Sequence, residues 1–211
     1  MKEVMALIGD IAMSKKIENR EKFQNKISLL FKKVSAASKD YLHSPYTLTL
    51  GDEFQAVYRT PDSIMTDIWK IIEALYPHRA RFAVGVDMLS TKINPNKAIG
   101  MDGPAFYYAR DGIEELKQYS RTIIQFYGKN IRNLNLIDQY LILLSGISSR
   151  WKHNTIKIFN GLLNKDSLEK ISNNTGISKR AVYKNTRSNY LEEIIDLQRE
   201  ITKSLSQSIE A

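Results

Sequence analysis

A change of pattern at Gly128 constrains this chain more than any other feature. Before it, short β-prone runs alternate with amphipathic helical stretches; beyond it, everything to Ala211 is helical in pattern. That order predicts an α+β sheet domain over residues 1–129 and a small all-α domain over residues 130–211. A length of 211 residues allows one large or two small domains, and a 43% hydrophobic share is enough for a core. The absence of cysteine excludes a disulfide scaffold, a thiolate zinc site and a cysteine nucleophile together. No run approaches the roughly 18 uncharged apolar residues of a membrane span. The start, Met1 to Asp10, lacks the pattern of a signal peptide, so the cytoplasm is the expected location.

Within the first part, Val4 to Gly9 is a continuous apolar run that stops at Asp10, a buried strand delivering an acid at its C-terminal end. From Ile17 to Tyr41, Phe23, Ile27, Leu30, Phe31 and Val34 recur at three-to-four spacing, which predicts a helix. His43-Ser44-Pro45 breaks it. Tyr46 to Leu50 and Phe54 to Tyr58 then read as a hairpin around Gly51-Asp52-Glu53. Pro61 and Asp62 open a second helix, which Pro77 ends; Arg81 to Met88 is a strand. A third helix runs from about Pro104 to Gln118, and Thr122 to Tyr127 is the last strand. The order β-α-β-β-α-β, then α-β, matches a ferredoxin-like layout: one antiparallel sheet with helices on one face. Other α+β arrangements share the same order.

In that layout the first strand and the hairpin are neighbours, so Asp10 and Asp52 would meet at adjoining strand ends. Mg²⁺ or Mn²⁺ needs little more than one or two carboxylates plus substrate phosphates. Two such ions would clamp the attacking and leaving oxygens of a phosphoryl transfer. Glu53, pointing away from Asp52 if the strand continues, is a weaker ligand candidate or a general base. The same Gly-Asp-Glu also reads as a plain tight turn. His43, His78 and His153 are scattered, with no partner at ligand spacing, and no Gly-rich P-loop is present.

The formal net charge of +8 is unevenly spread. Residues 150–189 hold nine Lys and Arg against two Asp and Glu, as expected where a protein meets a polyanion. Within this segment, residues 167–189 fit a helix-turn-helix. Ser167 to Asn174 is a short helix, Thr175-Gly176-Ile177-Ser178 a turn, and Lys179 to Asn189 a second, basic helix. Ile171, Ser172, Ile177 and Val182 stand where such a pair needs apolar or small residues; Thr175 and Asn185 stand where aliphatics are more usual. In that frame Ser178 caps the recognition helix, and Lys179, Arg180, Tyr183, Lys184 and Arg187 face DNA. A helical bundle using the same turn for protein contacts is the other reading.

Several of these runs together resemble a known family. Leu50-Gly51-Asp52-Glu53-Phe54 resembles the hairpin signature of the diguanylate cyclase (GGDEF) and class III nucleotidyl cyclase palm, and Ile8-Gly9-Asp10-Ile11 resembles its first-metal strand. Gly9-Asp10-Ile11, Ser14-Lys15, Arg20, Gly51-Asp52-Glu53-Phe54, Gly85, Gly100-Met101-Asp102-Gly103-Pro104 and Ala109-Arg110 together resemble the SatD family. Its members are cyclase-palm-like proteins with a DNA-binding-type tail.

The resemblance implies Asp10 and Asp52 as metal ligands for a nucleoside triphosphate. It places Ile11, Ser14, Lys15 and Arg20 at the phosphates. Arg110 falls at the position of the arginine that stabilises transition-state charge, which in class III cyclases acts across a homodimer interface. An ion pair of Arg110 with Glu114 is the alternative, as a plain N-cap is for Ser14. The chain departs from the cyclase pattern at Phe106, where cyclases carry asparagine, and at Leu50-Gly51, where diguanylate cyclases carry two glycines. It also lacks a counterpart of the purine-reading lysine–aspartate pair. Metal and phosphate binding do not need those residues; cyclisation does. The expected protein is a nucleotide-responsive regulator that binds DNA through its tail, with a nucleotidyl-transfer enzyme or a ligand-free interaction protein as the alternatives.

Overall fold

The run Val4–Ile11 forms β1, the middle strand of a five-stranded sheet in the computed structural model, which describes residues 3–12, 19–49, 51–119 and 121–209. After it come α1 (Arg20–Ala37), β2 (Leu42–Leu48), β3 (Glu53–Tyr58), α2 (Ile64–Leu75), β4 (Ala80–Asp87), α3 (Pro104–Gln118) and β5 (Ile124–Tyr127). Five helices complete the chain: α4 (Leu134–Ser148), α5 (His153–Leu163), α6 (Leu168–Thr175), α7 (Lys179–Ser188) and α8 (Leu191–Ile209). The strand order is β2-β3-β1-β4-β5. β1 is antiparallel to both β3 and β4, and β2 is antiparallel to β3.

Two details correct the expected sheet. β5 runs parallel to β4, so the sheet is mixed, as the α3 crossover between these strands requires. Helices also cover both faces rather than one. Met5 and Leu7 on one side of β1 pack into the core with Ile27, Phe31, Ile64 and Ile68 of α1 and α2. Val4, Ala6 and Ile8 on the other side pack with Ala105, Ala109 and Ile113 of α3. A strand apolar at every position has two faces to hide. Each buried aliphatic side chain contributes about 1.5–3 kcal/mol, so leaving either face wet would be prohibitive.

The edge strand β2 begins at Leu42, earlier than the Pro45 break suggested, with register shifts between Leu42 and Ser44 and between Ser44 and Thr47. An edge strand with such irregularities accommodates a proline that a central strand would not.

A buried polar network ties the first helical layer to the sheet. The Asp67 carboxylate on α2 accepts from Ser38 Oγ (2.7 Å), Tyr58 Oη (2.9 Å) and Ser63 Oγ (3.1 Å). Tyr46 and Tyr58 share a further bond of 2.6 Å; since Tyr58 gives its proton to Asp67, Tyr46 is the donor. The same helix anchors the C-terminal helices. Trp69 packs against Trp151 and Phe159, with ring centroids 5.4 and 4.9 Å away. Asn160 Nδ2 donates to the Trp69 carbonyl (3.0 Å) and to Glu73 Oε2 (2.6 Å). One hydrophobic cluster runs without a break from β1 to α8. Among the described residues no helix is long and apolar enough to cross a membrane.

Burial pushes the Asp67 carboxyl above the usual carboxylate range, opposed by its three hydroxyl donors and by Lys70. Because the folded-state value exceeds the unfolded one of about 3.9, this group's contribution is fully present below pH ~4 and lost as pH rises through the raised value. Urea denaturation between pH 4 and 7 is therefore predicted to show wild type losing stability relative to Asp67→Asn as pH rises; a constant difference would contradict this. Asp67→Ala, which strands three buried hydroxyls, should cost at least ~3 kcal/mol in the same experiment.

Candidate functional site

The hairpin and the end of β1 are stitched together by backbone. Ile11 N donates to the Asp52 carbonyl (3.2 Å), and Asp10 stands directly opposite Glu53 in the β1–β3 ladder. Opposed residues of an antiparallel pair project from the same face, so Asp10 and Glu53 emerge side by side toward α3. The Asp52 side chain, half-buried in the hairpin turn, is near enough for its charge to raise the Asp10 carboxyl. Burial is the larger cause of that rise, while Lys117 and Arg81 pull it back. Three acids thus gather at adjoining strand ends.

Cations from three elements surround them. Arg81, at the start of β4 and opposite Asp10 in the second ladder, donates from Nη1 to Asp10 Oδ2 at 3.0 Å. Arg110 on α3 donates from Nη1 to Glu53 Oε1 at 2.7 Å. Its Nη2 meets the Gln55 amide oxygen at 3.1 Å in the amide orientation that also lets Gln55 donate to the Ala98 carbonyl at 3.0 Å. Lys117 lies two turns further along α3. Burial lowers its pKa, but the bond to Glu114 and the charges of Asp10, Glu114 and Glu53 outweigh that and hold the ammonium above its ordinary value. The Arg20 guanidinium lies beside the hairpin, 3.1 Å from where a Gly51 side chain would begin.

Of the residues the sequence singled out, Asp10, Asp52, Glu53, Ile11, Arg20 and Arg110 converge here. Ser14 and Lys15 lie outside the described residues. The Ile11 N–H, assigned to phosphate by resemblance, is occupied by Asp52. Arg110 pairs with Glu53 and not with Glu114, which bonds Lys117 instead (2.8 Å). Glu53 shares a face with Asp10. Arg81 and Lys117 were missed. Lys117 carried a signal, being seven residues from Arg110 and so on the same helical face; Arg81 became visible only through the register of β4 against β1. Among the described residues no group of three or more His, Cys, Asp or Glu side chains is placed to hold a metal. A cation here would rest on Asp10 and Asp52 plus ligands from outside the chain. Two half-buried carboxylates that repel each other suit one in charge, though Arg81 already occupies Asp10 Oδ2.

The basic segment forms a second candidate surface. Ser167 caps α6 by accepting from Lys170 N (3.2 Å), and Ser178 caps α7 by accepting from Ala181 N (3.2 Å). Between them Gly176 adopts a left-handed conformation (φ 69°), which ends α6 without the Cβ strain another residue would bear. Ile171, Thr175, Val182 and Thr186 are buried. The two residues that break the apolar pattern have polar partners: Thr175 Oγ1 donates to the Ile171 carbonyl (2.7 Å) and Asn185 Nδ2 to Thr155 Oγ1 (3.2 Å). Lys179, Arg180, Tyr183, Lys184 and Arg187 are all exposed along α7, with Arg187 over the Tyr183 ring at 5.9 Å.

Comparison with known proteins places these features in context. The model of the SatD family matches residues 4–198. No curated protein matches the chain. Among solved structures, a bacterial light-regulated adenylyl cyclase aligns at 15% identity and a TM-score of 0.35, over 59% of this chain and 75% of that one.

The position of Arg110 and Lys117 over the acids depends on how closely α3 approaches the sheet. A Cβ on Gly85 would stand 1.9 Å from the Ala105 carbonyl oxygen and 2.7 Å from Ala109 N, both backbone atoms that cannot step aside. Gly85→Ala is therefore predicted to lower stability by about 1–3 kcal/mol in chemical denaturation and to speed proteolysis within α3. An unchanged denaturation midpoint would show that α3 can slide freely.

Proposed function

The chain belongs to the SatD family, and from that premise we propose that it binds a nucleoside triphosphate with a divalent cation at the β1–β3 strand ends and DNA through α7, acting as a nucleotide-responsive regulator. The observation that carries this reading is the meeting of Asp10 and Asp52, 42 positions apart in the chain, where Ile11 N bonds the Asp52 carbonyl. The order β2-β3-β1-β4, antiparallel at each neighbour, supports a ferredoxin-like, cyclase-type palm over residues 1–129, with β5 appended. The capped helices α6 and α7 and their left-handed turn support a helix-turn-helix within a helical part over residues 130–211.

In this reading Asp10 and Asp52 hold Mg²⁺ or Mn²⁺. When bound, the cation neutralises phosphate oxygens and orients them. The residues of the chain supply the remainder. Arg20 beside the hairpin, and Lys117 and Arg81 beside Asp10, present positive charge to a polyphosphate entering at the strand ends. Arg110 is held against Glu53, so its guanidinium reaches a phosphate only after that bond opens or through a second copy of the chain. Glu53, once released, would be the group placed to accept a proton. On α7, Ser178 fixes the helix start, while Lys179, Arg180, Lys184 and Arg187 address phosphates and base edges. Nucleotide regulates DNA binding only to the extent that it binds the two conformations differently.

A thermal-shift screen of nucleoside triphosphates with Mg²⁺ or Mn²⁺ should reveal one that stabilises the protein, by about 2.7 kcal/mol at a hundred times its Kd. Asp10→Asn and Asp52→Asn should each abolish the metal-dependent part. DNA affinity should fall steeply with salt, and Lys184→Ala should reduce the slope by about 1. Cation-dependent conversion of the triphosphate would identify a transferase instead, and absence of both bindings an interaction protein.

A further inference from the structure

α4 and α8 lie antiparallel against each other and leave a joint face uncovered. Tyr140 Oη of α4 donates to the Ile194 carbonyl near the start of α8 (3.2 Å), while Asn133 Nδ2, just before α4, donates to Ser204 Oγ near the end of α8 (3.3 Å). Their inner sides send Ile137, Leu141, Leu144 and Ile195 into the core. On the outer side of α4, Leu136, Leu143 and Ile147 follow one another at spacings of seven and four residues and so form one stripe. Leu136 is 68% and Leu143 65% exposed, and Leu197 of α8, 56% exposed, stands across a groove of about 470 Å³ from them. Single exposed apolar side chains are ordinary, whereas three leucines along one groove mark an interaction surface. Glu200 and Lys203, bonded to each other at 2.6 Å, are the charged residues of its lining.

We infer that a second copy of the chain covers this face, the two α8 helices running antiparallel across a two-fold axis. Two arguments select that occupant. An antiparallel helix pair with an apolar outer face closes its core when a second such pair packs on it as a four-helix bundle, and bundle contacts repeat at the heptad spacing that α4 displays. The charges are also self-complementary, as a surface must be where a two-fold axis sets it against itself. With the axis passing beside Ile201 and Thr202, Glu200 of each copy stands opposite Lys203 of the other. Their side chains are 68% and 67% exposed, so each has room for this second partner. A strongly charged partner such as a nucleic acid gains nothing from a lining whose two charges cancel. The contact does not involve Arg110, and the inference stands independently of the nucleotide and DNA reading.

Sedimentation equilibrium of the full chain at micromolar concentration should give twice its mass of 24.3 kDa. Leu136→Glu and Leu143→Glu should each weaken association by at least about thirtyfold, because the dimer would then bury an unpaired carboxylate in an apolar contact. Glu200→Lys and Lys203→Glu should each weaken it about tenfold, since like charges then face each other twice across the axis. Mixed in equal amounts, these two variants should recover wild-type affinity as a heterodimer, every facing pair being opposite in sign again. Loss of the pair within one helix predicts no such recovery. All four positions are exposed, and circular dichroism should show wild-type helix content in each variant, which separates lost association from lost fold. A chain that stays monomeric at millimolar concentration would overturn the inference and leave the face to a different partner. So would a dimer indifferent to both leucine substitutions, or charge variants that fail to associate on mixing.

Discussion

The burial of β1 on both faces is the constraint from which the rest of the architecture follows. Alternate side chains of the strand enter two separate cores, and neither core is complete without a helical layer of its own. α1 and α2 provide one layer, and α3 the other. The second layer must lie close, because the side chains between it and the sheet are small: Ala6, Ala83, Ala105 and Ala109, with Gly85 leaving no room for a side chain at all. That closeness puts Arg110 and Lys117 above the strand ends where Asp10 and Glu53 emerge. The charged cluster is thus a product of core packing rather than of charge attraction.

The energetics agree. The Arg110 side chain is 48% exposed, so solvent screens its pair with Glu53 from the cation side and the pair contributes about 0–1 kcal/mol. It does not by itself hold α3 in place. The two carboxylates are buried to a similar degree, Glu53 at 17% and Asp10 at 13% exposed, but Asp10 shares its surroundings with a second acid, so removing Arg81 would leave a desolvated carboxylate poorly compensated. The pairs differ on the cation side, Arg110 standing more open than Arg81 at 25%, and in the proposed reading Arg110 is the cation an entering polyphosphate would reach more easily.

How much of this could be read from the sequence depended on whether the signal was local. The run Val4–Gly9, the spacing in α1 and the capping serines Ser167 and Ser178 each identify an element within a few residues, and those elements are where periodicity places them. The second covered face was also encoded, in the unbroken apolar run of β1, but a template with helices on one side concealed it. The parallel sense of β5 and the start of β2 at Leu42 depend on crossover handedness and edge irregularities that no short window contains. Within the site, Asp10, Asp52 and Glu53 were legible because turns and strand ends announce themselves. Arg81 was not, because only the register of β4 against β1 brings it opposite Asp10.

The same distinction between local and long-range information bears on how the two ends of the molecule are joined. Read as a string, the chain divides at Gly128, yet the core does not. α2 carries Asp67 toward β3 and α1 at one end and Trp69 and Glu73 toward α5 at the other. It is a 12-residue rod with a buried polar clamp on the sheet and an aromatic clamp on the helix that supports α6 and α7. A tail attached by a flexible linker could move without consequence for the sheet. A tail keyed to α2 cannot, because close-packed interiors shift between discrete arrangements rather than deform continuously. Coupling between the strand-end acids and the basic face of α7 therefore has a packed route through α2, beside a second one in which Ser145 of α4 bonds Thr122 and Ile123 just ahead of β5 and Tyr140 of α4 bonds the Ile194 carbonyl of α8.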